Sequence, residues 1–212
     1  MGLKNSFFVT FEGIEGCGKS TQINKVYNFF KKKKIKCIKT REPGGTFIAE
    51  KIRKLIIYNL KNNEDNLTEL LLLLASRSNH FKKILKYLNK GYVVLCDRYI
   101  DSTYVYQYYE QGQSLNFINL IQNKIDGGIK PDITFFIDIP AKISKLRVSN
   151  RKNLDRFDKY SEKKLDKLRN YYLKLSNKFN RIKNIDGSKD PGSVQKEIIN
   201  YLNKKNVFQN IK

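Results

Sequence analysis

The sequence predicts an α/β fold: a five-stranded parallel sheet sandwiched by helices, with one charged stretch that reads as a disordered loop or a mobile lid. Three observations lead there. Five short runs, most of them rich in Val, Ile, Phe or Tyr, are separated by longer helical patterns. A complete glycine-rich phosphate loop sits between the first run and the first helical pattern. The 212 residues, 40% hydrophobic and 12% aromatic, can bury one good core and are too apolar for a disordered chain.

In chain order, the expected strands are Phe7–Phe11, Lys36–Thr40, Tyr92–Cys96, Ile133–Asp138 and Arg181–Ile185. The expected helices are Lys19–Lys33, Phe47–Leu60, Asn66–Asn89, Leu115–Ile125, Ala141–Asn150, Ser161–Phe179 and Pro191–Lys205. In the third helix Leu67, Leu70, Leu71, Leu74, Phe81, Ile84, Leu85 and Leu88 recur at helical spacing, which predicts a core-packing stripe. Strands alternating with helices imply right-handed crossovers and therefore parallel pairing. No stretch reads as a linker and no internal repeat is visible, so residues 1–212 are expected to form one domain. Arg147–Tyr160 is charged with little apolar periodicity, as a disordered surface loop or a mobile lid would be.

Composition excludes several function classes. Three Cys without a C-x-x-C pair rule out a disulfide scaffold and a Cys-based zinc site, and one His rules out a His-rich metal site. The longest apolar run, Leu70–Ala75, is far short of the ~20 residues of a membrane span. No long apolar segment marks a leader, so a soluble, cytoplasmic protein is expected. Met1–Ser6 fits the loose myristoylation pattern, but a strand begins at Phe7 and a chance match is the simpler reading. Asn66-Leu67-Thr68 is a glycosylation sequon only in a secreted chain.

The formal charge of +22 raises nucleic acid as a partner. Lys outnumbers Arg by 33 to 9 and Asn reaches 22, a bias that an AT-rich coding sequence would give. The densest basic run, Lys31–Lys34, follows an amphipathic helix and reads as a solvated helix end. Nucleic-acid binding is therefore not expected as the primary function. A basic surface still attracts phosphorylated substrates.

Gly13-Ile14-Glu15-Gly16-Cys17-Gly18-Lys19-Ser20 matches G-x-x-x-x-G-K-[ST] in full, and Thr21 follows it. Backbone N–H groups and the following helix N-terminus can cradle a polyphosphate. Lys19 would reach the β- and γ-phosphates and Ser20 would bind Mg²⁺. Cys17 fills a variable position, although a thiol near a helix N-terminus can be activated. Cys37 and Cys96 are expected to pack within strands. Tyr92–Cys96 ends in Asp97, a carboxylate placed to hold Mg²⁺ directly or through water. The fold class is accordingly a P-loop NTPase.

In a chain so biased to Lys, arginine positions carry information, because guanidinium recognises phosphate bidentately. Arg41 and Arg98 lie at strand ends; Arg147, Arg151 and Arg156 crowd the suspected lid. Arg53 and Arg98, with Arg41 as a further candidate, could form a second anion site beside the loop. Arg169 and Arg181 read as ordinary surface salt bridging.

These residues resemble the bacterial thymidylate kinase family along nearly the whole chain. The markers are Phe11–Thr21, then Thr40-Arg41-Glu42-Pro43-Gly44-Gly45-Thr46, Ala75-Ser76-Arg77 with His80, and Asp97-Arg98-Tyr99-Ile100-Asp101-Ser102. Tyr106-Gln107, Lys130-Pro131-Asp132 and Leu154-Asp155-Arg156-Phe157 complete them. The resemblance implies transfer of phosphate from ATP to dTMP with Mg²⁺, giving dTDP and ADP for dTTP synthesis. It implies a homodimer, with no membrane or nucleic-acid partner. By position it implies that Gly13–Thr21 bind ATP, that Ser20 and Asp97 hold the metal, and that Glu15 faces the dTMP 3′-hydroxyl. It makes Arg53 and Arg98 acceptor-phosphate clamps and Arg77 the reader of the thymine edge. Thr103 would contact the base, Tyr106 would crowd the sugar 2′ position, and Gln107 would share that pocket. The catalytic set implied is Lys19, Asp97, Arg98 and a lid arginine. Gly16 stands where some members carry a catalytic Arg, so the lid should supply it: Arg151 first, with Arg147 and Arg156 as alternatives.

Two departures matter. Leu73 stands where the family has a Phe that stacks on thymine, and Lys164-Leu165 replaces a Phe-His pair after the lid. The rival readings are another nucleoside monophosphate or deoxynucleoside kinase, a nucleic-acid-stimulated P-loop ATPase and a catalytically dead nucleotide-binding partner. The intact Lys19, Ser20, Asp97 and Arg98 argue against the last.

Overall fold

The computed structural model describes residues 6–59, 66–152 and 154–208. Five parallel strands form one sheet in the order β2-β3-β1-β4-β5. They are β1 (Phe7–Glu12), β2 (Cys37–Arg41), β3 (Val93–Asp97), β4 (Ile133–Asp138) and β5 (Ile182–Asp186). Four of them end, and three begin, a residue later than the sequence pattern predicts. At the C-terminal edge Arg41 stands opposite Asp97, and Asp97 opposite Phe11. The ligand-facing C-terminal edge of the sheet is thus one aligned row of side chains.

Helices cover both faces. They are α1 (Lys19–Lys32), α2 (Phe47–Lys54), α3 (Asn66–Leu88), α4 (Ile100–Thr103), α5 (Leu115–Asp126), α6 (Ala141–Ser149), α7 (Glu162–Lys178) and α8 (Pro191–Lys204). α2 widens into a π-helical turn at Leu55–Asn59, and α4 into another at Tyr104–Glu110. Strand residues alternate between two cores. Val9, Phe11, Val93 and Leu95 face a core with Val26, Phe30, Ile198 and Leu202, whereas Phe8 and Val94 face Leu70, Leu74, Ile84 and Leu88. Tyr172 of α7 stacks 5.2 Å from Phe136.

Caps fix several helix starts. Thr46, Ser114, Ser161 and Asp190 each accept a backbone N–H in the first turn of α2, α5, α7 and α8, and Pro191 opens α8. α1 begins at Gly18 without a capping side chain, which leaves its N-terminal N–H groups to a ligand.

Some expectations need correction. Leu67 and Leu71 are 53% and 47% exposed and do not belong to the core stripe of α3. The inward positions of its first turns go instead to Glu69, Leu70 and Leu74, followed by Arg77 and His80, because this helix also walls a cavity. Arg181 is no ordinary surface ion pair: both its Nη atoms donate to Asp101, which is fully buried, at 2.7 and 2.6 Å. Arg147 lies in α6, as the expected helix Ala141–Asn150 has it, so the charged stretch departs from helix only beyond that element. Leu60, the expected end of the second helix, lies outside the described residues, as do Met1–Asn5 of the myristoylation-like pattern and Asn153 within the charged stretch. Lys31–Lys34 are all exposed, and Cys17, Cys37 and Cys96 are all buried.

Candidate active site

The chain leaves β1 through Gly13, whose φ of +142° and lack of a side chain are both required. A Cβ there would meet Ile137 O and Cys17 Sγ at 2.7 Å. Lys19 Nζ donates to Gly13 O at 3.0 Å and Ile14 O at 2.9 Å, so its ammonium lies over the loop. Ser144 of α6 braces the loop, donating to Glu15 O at 2.6 Å. Ser20 Oγ donates to Asp97 Oδ2 at 2.7 Å, joining the first turn of α1 to the end of β3. A cavity of ≈ 360 Å³ lies over Gly16–Gln22, closed by Arg147, Arg151, Gly187 and Lys189.

A second cavity, ≈ 240 Å³, lies between the loop, β3 and α3. The two share Gly16, Lys19, Ser20 and Arg151. The wall of the second cavity is a set of buried charges. Arg98 Nη2 donates to Glu15 Oε1 at 2.7 Å, and Nη1 donates to Ser102 Oγ and Tyr172 OH, both at 3.1 Å. Tyr106 OH donates to Glu15 at 2.9 Å. Burial works against the Arg98 charge, but the surrounding Tyr106, Tyr172, Glu15 and Glu12 hold its pKa well above the ordinary arginine value. Arg98 has φ +67°, a left-handed backbone that costs a non-glycine residue roughly 1–2 kcal/mol and is held here by its contacts.

Glu12 lies beneath, fully buried. It accepts Tyr99 N–H at 2.7 Å, Ser102 OH at 2.6 Å and Tyr172 OH at 3.2 Å. Burial and then the Asp101 charge push its pKa up to about 7, against the pull of Arg98. Arg53 Nη1 donates to Pro43 O at 3.1 Å, and burial, then Arg41, lowers its pKa. Arg77 donates through Nε to Glu42 (2.6 Å), through Nη1 to Gln122 (2.8 Å) and through Nη2 to Thr103 (2.9 Å). Leu73 and Gln107 line the same cavity, and Gln107 donates to Glu69 at 2.8 Å.

The three arginines of the charged stretch part company. Arg151 faces both cavities and donates to Asp158 at 2.7 Å. Arg147 faces the loop cavity only and donates to Gly187 O at 3.0 Å. Arg156 turns to Glu69 and lies over the Phe157 ring, 4.5 Å from its centre. A turn organised by Asp155 and Asp158 brings Phe157 to the cavity.

The expected residues therefore converge: Glu15, Lys19, Ser20, Arg53, Leu73, Arg77, Asp97, Arg98, Thr103, Tyr106, Gln107 and Arg151 share one cavity. Arg41 joins them, paired with Glu50 at 2.8 Å. Sequence reasoning missed Glu12, Glu69, Ser102, Asp158 and Tyr172. Glu12 and Ser102 lie inside the quoted motifs, but their roles depend on partners up to 160 positions away, as between Glu12 and Tyr172, which no local pattern exposes.

The family model described as thymidylate kinase matches residues 11–198. A thymidylate kinase of Sulfurihydrogenibium sp. (strain YO3AOP1) is 41% identical over 95% of this chain and 99% of its own. One from Thermosipho africanus is 41% identical over 93% and 98%, and one from Rickettsia typhi 40% over 85% and 89%.

Proposed function

The chain belongs to the thymidylate kinase family, and on that premise we propose that it transfers the γ-phosphoryl group of ATP to dTMP, giving dTDP and ADP. The observation that carries the reading is the junction of two cavities at Lys19, Ser20 and Arg151. One has a phosphate loop as its floor, and the other is walled by arginines suited to a nucleotide monophosphate. Transfer in line needs donor and acceptor to meet at one point, and the junction supplies it.

ATP lies along Gly13–Thr21, with its γ-phosphate at Lys19. The dTMP phosphate sits between Arg53 and Arg98, and its sugar 3′-hydroxyl faces Glu15. Tyr106 fills the space a 2′-hydroxyl would need, with Gln107 beside it. Arg77 and Thr103 read the base edge, and Leu73 packs on its face. The nucleophile is an anionic phosphate oxygen, so no general base is required. Catalysis is positioning and charge neutralisation by Lys19, Arg98 and Arg151. Ser20 Oγ and Asp97 Oδ2, 2.7 Å apart, form an all-oxygen pair of the kind Mg²⁺ takes with waters completing its shell. Held by Ser20 and Asp97, Mg²⁺ would supply neutralisation of the charge on the transferring phosphoryl group. Residues 147–160 act as a lid that excludes water during transfer.

The same reading makes the whole chain one kinase domain acting as a cytoplasmic homodimer in dTTP synthesis. In support, no helix among the described residues is long and apolar enough to cross a membrane. Phe47 and Tyr58 of the α2 segment and Leu67 and Leu71 of α3 expose 77%, 75%, 53% and 47% of their surface, apolar area available to a second copy.

The test is ADP production with Mg-ATP and dTMP, dUMP, dGMP, UMP, AMP or thymidine, with single-stranded DNA as a stimulant. Turnover concentrated on dTMP, with weaker dUMP, is expected. Equal rates on several monophosphates would make this a relaxed monophosphate kinase. Hydrolysis stimulated only by DNA would overturn the reading.

A further inference from the structure

Behind the acceptor cavity runs a buried polar chain that the reaction itself does not use. His80, the only histidine of the sequence, is fully buried in α3. Its Nδ1 lies 3.0 Å from Glu42 Oε1 and its Nε2 lies 2.6 Å from Thr40 Oγ1. The other Glu42 oxygen accepts Arg77 Nε–H at 2.6 Å. Burial would raise the Glu42 pKa, but Arg77 and His80 outweigh it and hold the carboxyl below its ordinary value. An ionised carboxylate only accepts, so Nδ1 donates; in the neutral ring Nε2 then accepts the Thr40 hydroxyl.

The segment 42–46 is clamped by the same ring. Gly45, at φ +84°, passes so close that a Cβ would lie 2.5 Å from His80 Nε2. Two residues earlier, Pro43 O holds Arg53. One loop thus touches an arginine at each end of the cavity. Arg77 has five N–H groups, and three go to Glu42, Gln122 and Thr103. Two are left for a ligand, provided the plane of the guanidinium is fixed.

We propose that His80 is a positioning residue for the acceptor nucleotide: through Glu42 it fixes the plane of Arg77, so that two guanidinium N–H groups face the base edge. The proposal rests on the reading that dTMP places its base at Arg77. A buried hydrogen bond to a charged partner contributes to such orientation far more than an exposed one.

Two substitutions separate orientation from packing. Asn at position 80 offers an amide N–H near the place of Nδ1, facing Glu42. Gln offers its amide near the place of Nε2, facing Thr40. His80→Gln is expected to raise KM for dTMP about tenfold, with kcat and KM for ATP within about twofold. His80→Asn is expected to recover most of that loss. Equal loss in both variants, or a fall in kcat at unchanged KM, would overturn the proposal and leave His80 a packing residue. If the variants fold poorly, the wild-type enzyme still decides. Its single histidine gives one set of imidazole resonances, and the Nδ1–H signal is expected to shift with dTMP but not with inorganic phosphate. A signal that saturating dTMP leaves in place would overturn the proposal. Absence of dTMP turnover in the wild type, or a normal KM in Arg77→Gln, would overturn the acceptor reading instead, and the proposal with it.

Discussion

The cavity over the phosphate loop and the cavity beside it differ in what their walls are made of. The first is built on one contiguous loop, Gly16–Gly18, and on the N-terminus of α1, which has no side-chain cap, with Arg147, Arg151 and Lys189 around it. The second is mostly charged side chains. Glu15, Arg53, Arg77 and Arg98 come from the loop, α2, α3 and the end of β3, and each is held by a partner. Peptide dipoles need no counter-charge, whereas a buried guanidinium or carboxylate does. The backbone-built site therefore fits in one short segment. The side-chain-built site needs elements from most of the chain, and losing one member leaves another charge exposed to the penalty of burial.

Arg151 belongs to both cavities, so its removal tests the junction itself. Arg151→Ala is expected to lower kcat by about 10³-fold while moving KM for ATP far less, read by steady-state kinetics. An unchanged kcat would move the role to Arg147 or Arg156. Next is Arg98→Ala, which leaves Glu15 and Glu12 without their guanidinium. Stability is expected to fall by roughly 3–5 kcal/mol in urea unfolding, and kcat/KM for dTMP by roughly 10²-fold. Cys17→Ala in the loop sharpens the contrast: about 1 kcal/mol for its lost atom, with dTMP kinetics unchanged. Similar losses in the two variants would remove the distinction between the cavities.

Glu12 tests the charged side by pH. Its pKa is raised on folding from 4.5 to about 7, by burial first and Asp101 second. The folded chain therefore binds this proton more tightly than the unfolded chain. The stability it adds is complete below 4.5 and is lost as pH rises through about 7. Wild type is expected to lose up to roughly 3 kcal/mol relative to Glu12→Gln over that window, measured by urea unfolding. Parallel profiles would remove Glu12 from the network. The smallest effect belongs to Leu73→Phe. A ring against the base contributes about 0.5–1.5 kcal/mol, so KM for dTMP is expected to fall a few-fold. A rise in KM would show that Leu73 was fitted to the space that Phe157 and Tyr106 leave.

The same contrast explains what the sequence disclosed. The central strands β1, β3 and β4 were legible because buried parallel strands read as apolar runs, whereas the edge strands β2 and β5, half exposed, were legible from their place between helical patterns. Gly13–Ser20 was legible because it is contiguous. The π-helical turn Tyr104–Glu110 was not, because Tyr-rich sequence shows neither helical nor strand periodicity and Tyr99 provides no side-chain cap. Leu67 and Leu71 misled because periodicity identifies a face without saying which face turns inward. Arg181 misled because Asp101 and Thr134 are 80 and 47 positions away. Of the acceptor residues, Arg53 and Arg98 stood out as rare arginines in a Lys-rich chain, while Arg77, Thr103, Tyr106 and Gln107 became visible only through resemblance to a family, since pairings such as Arg77 with Glu42 and Gln107 with Glu69 are long-range.

The row at the sheet edge has one further consequence. Arg41, Asp97 and Phe11 occupy the same rung, and Arg98 N–H closes on Phe11 O at 3.0 Å. A slip of β3 by one position against β1 would turn Asp97 to the opposite face, detach it from Ser20, and draw a carboxylate toward apolar strand neighbours. Misregistered chains would then be both unstable and inactive, so folding errors are not hidden in a well-behaved soluble fraction. After denaturation and dilution, activity per milligram of recovered soluble enzyme should match that of material never unfolded, whatever the yield.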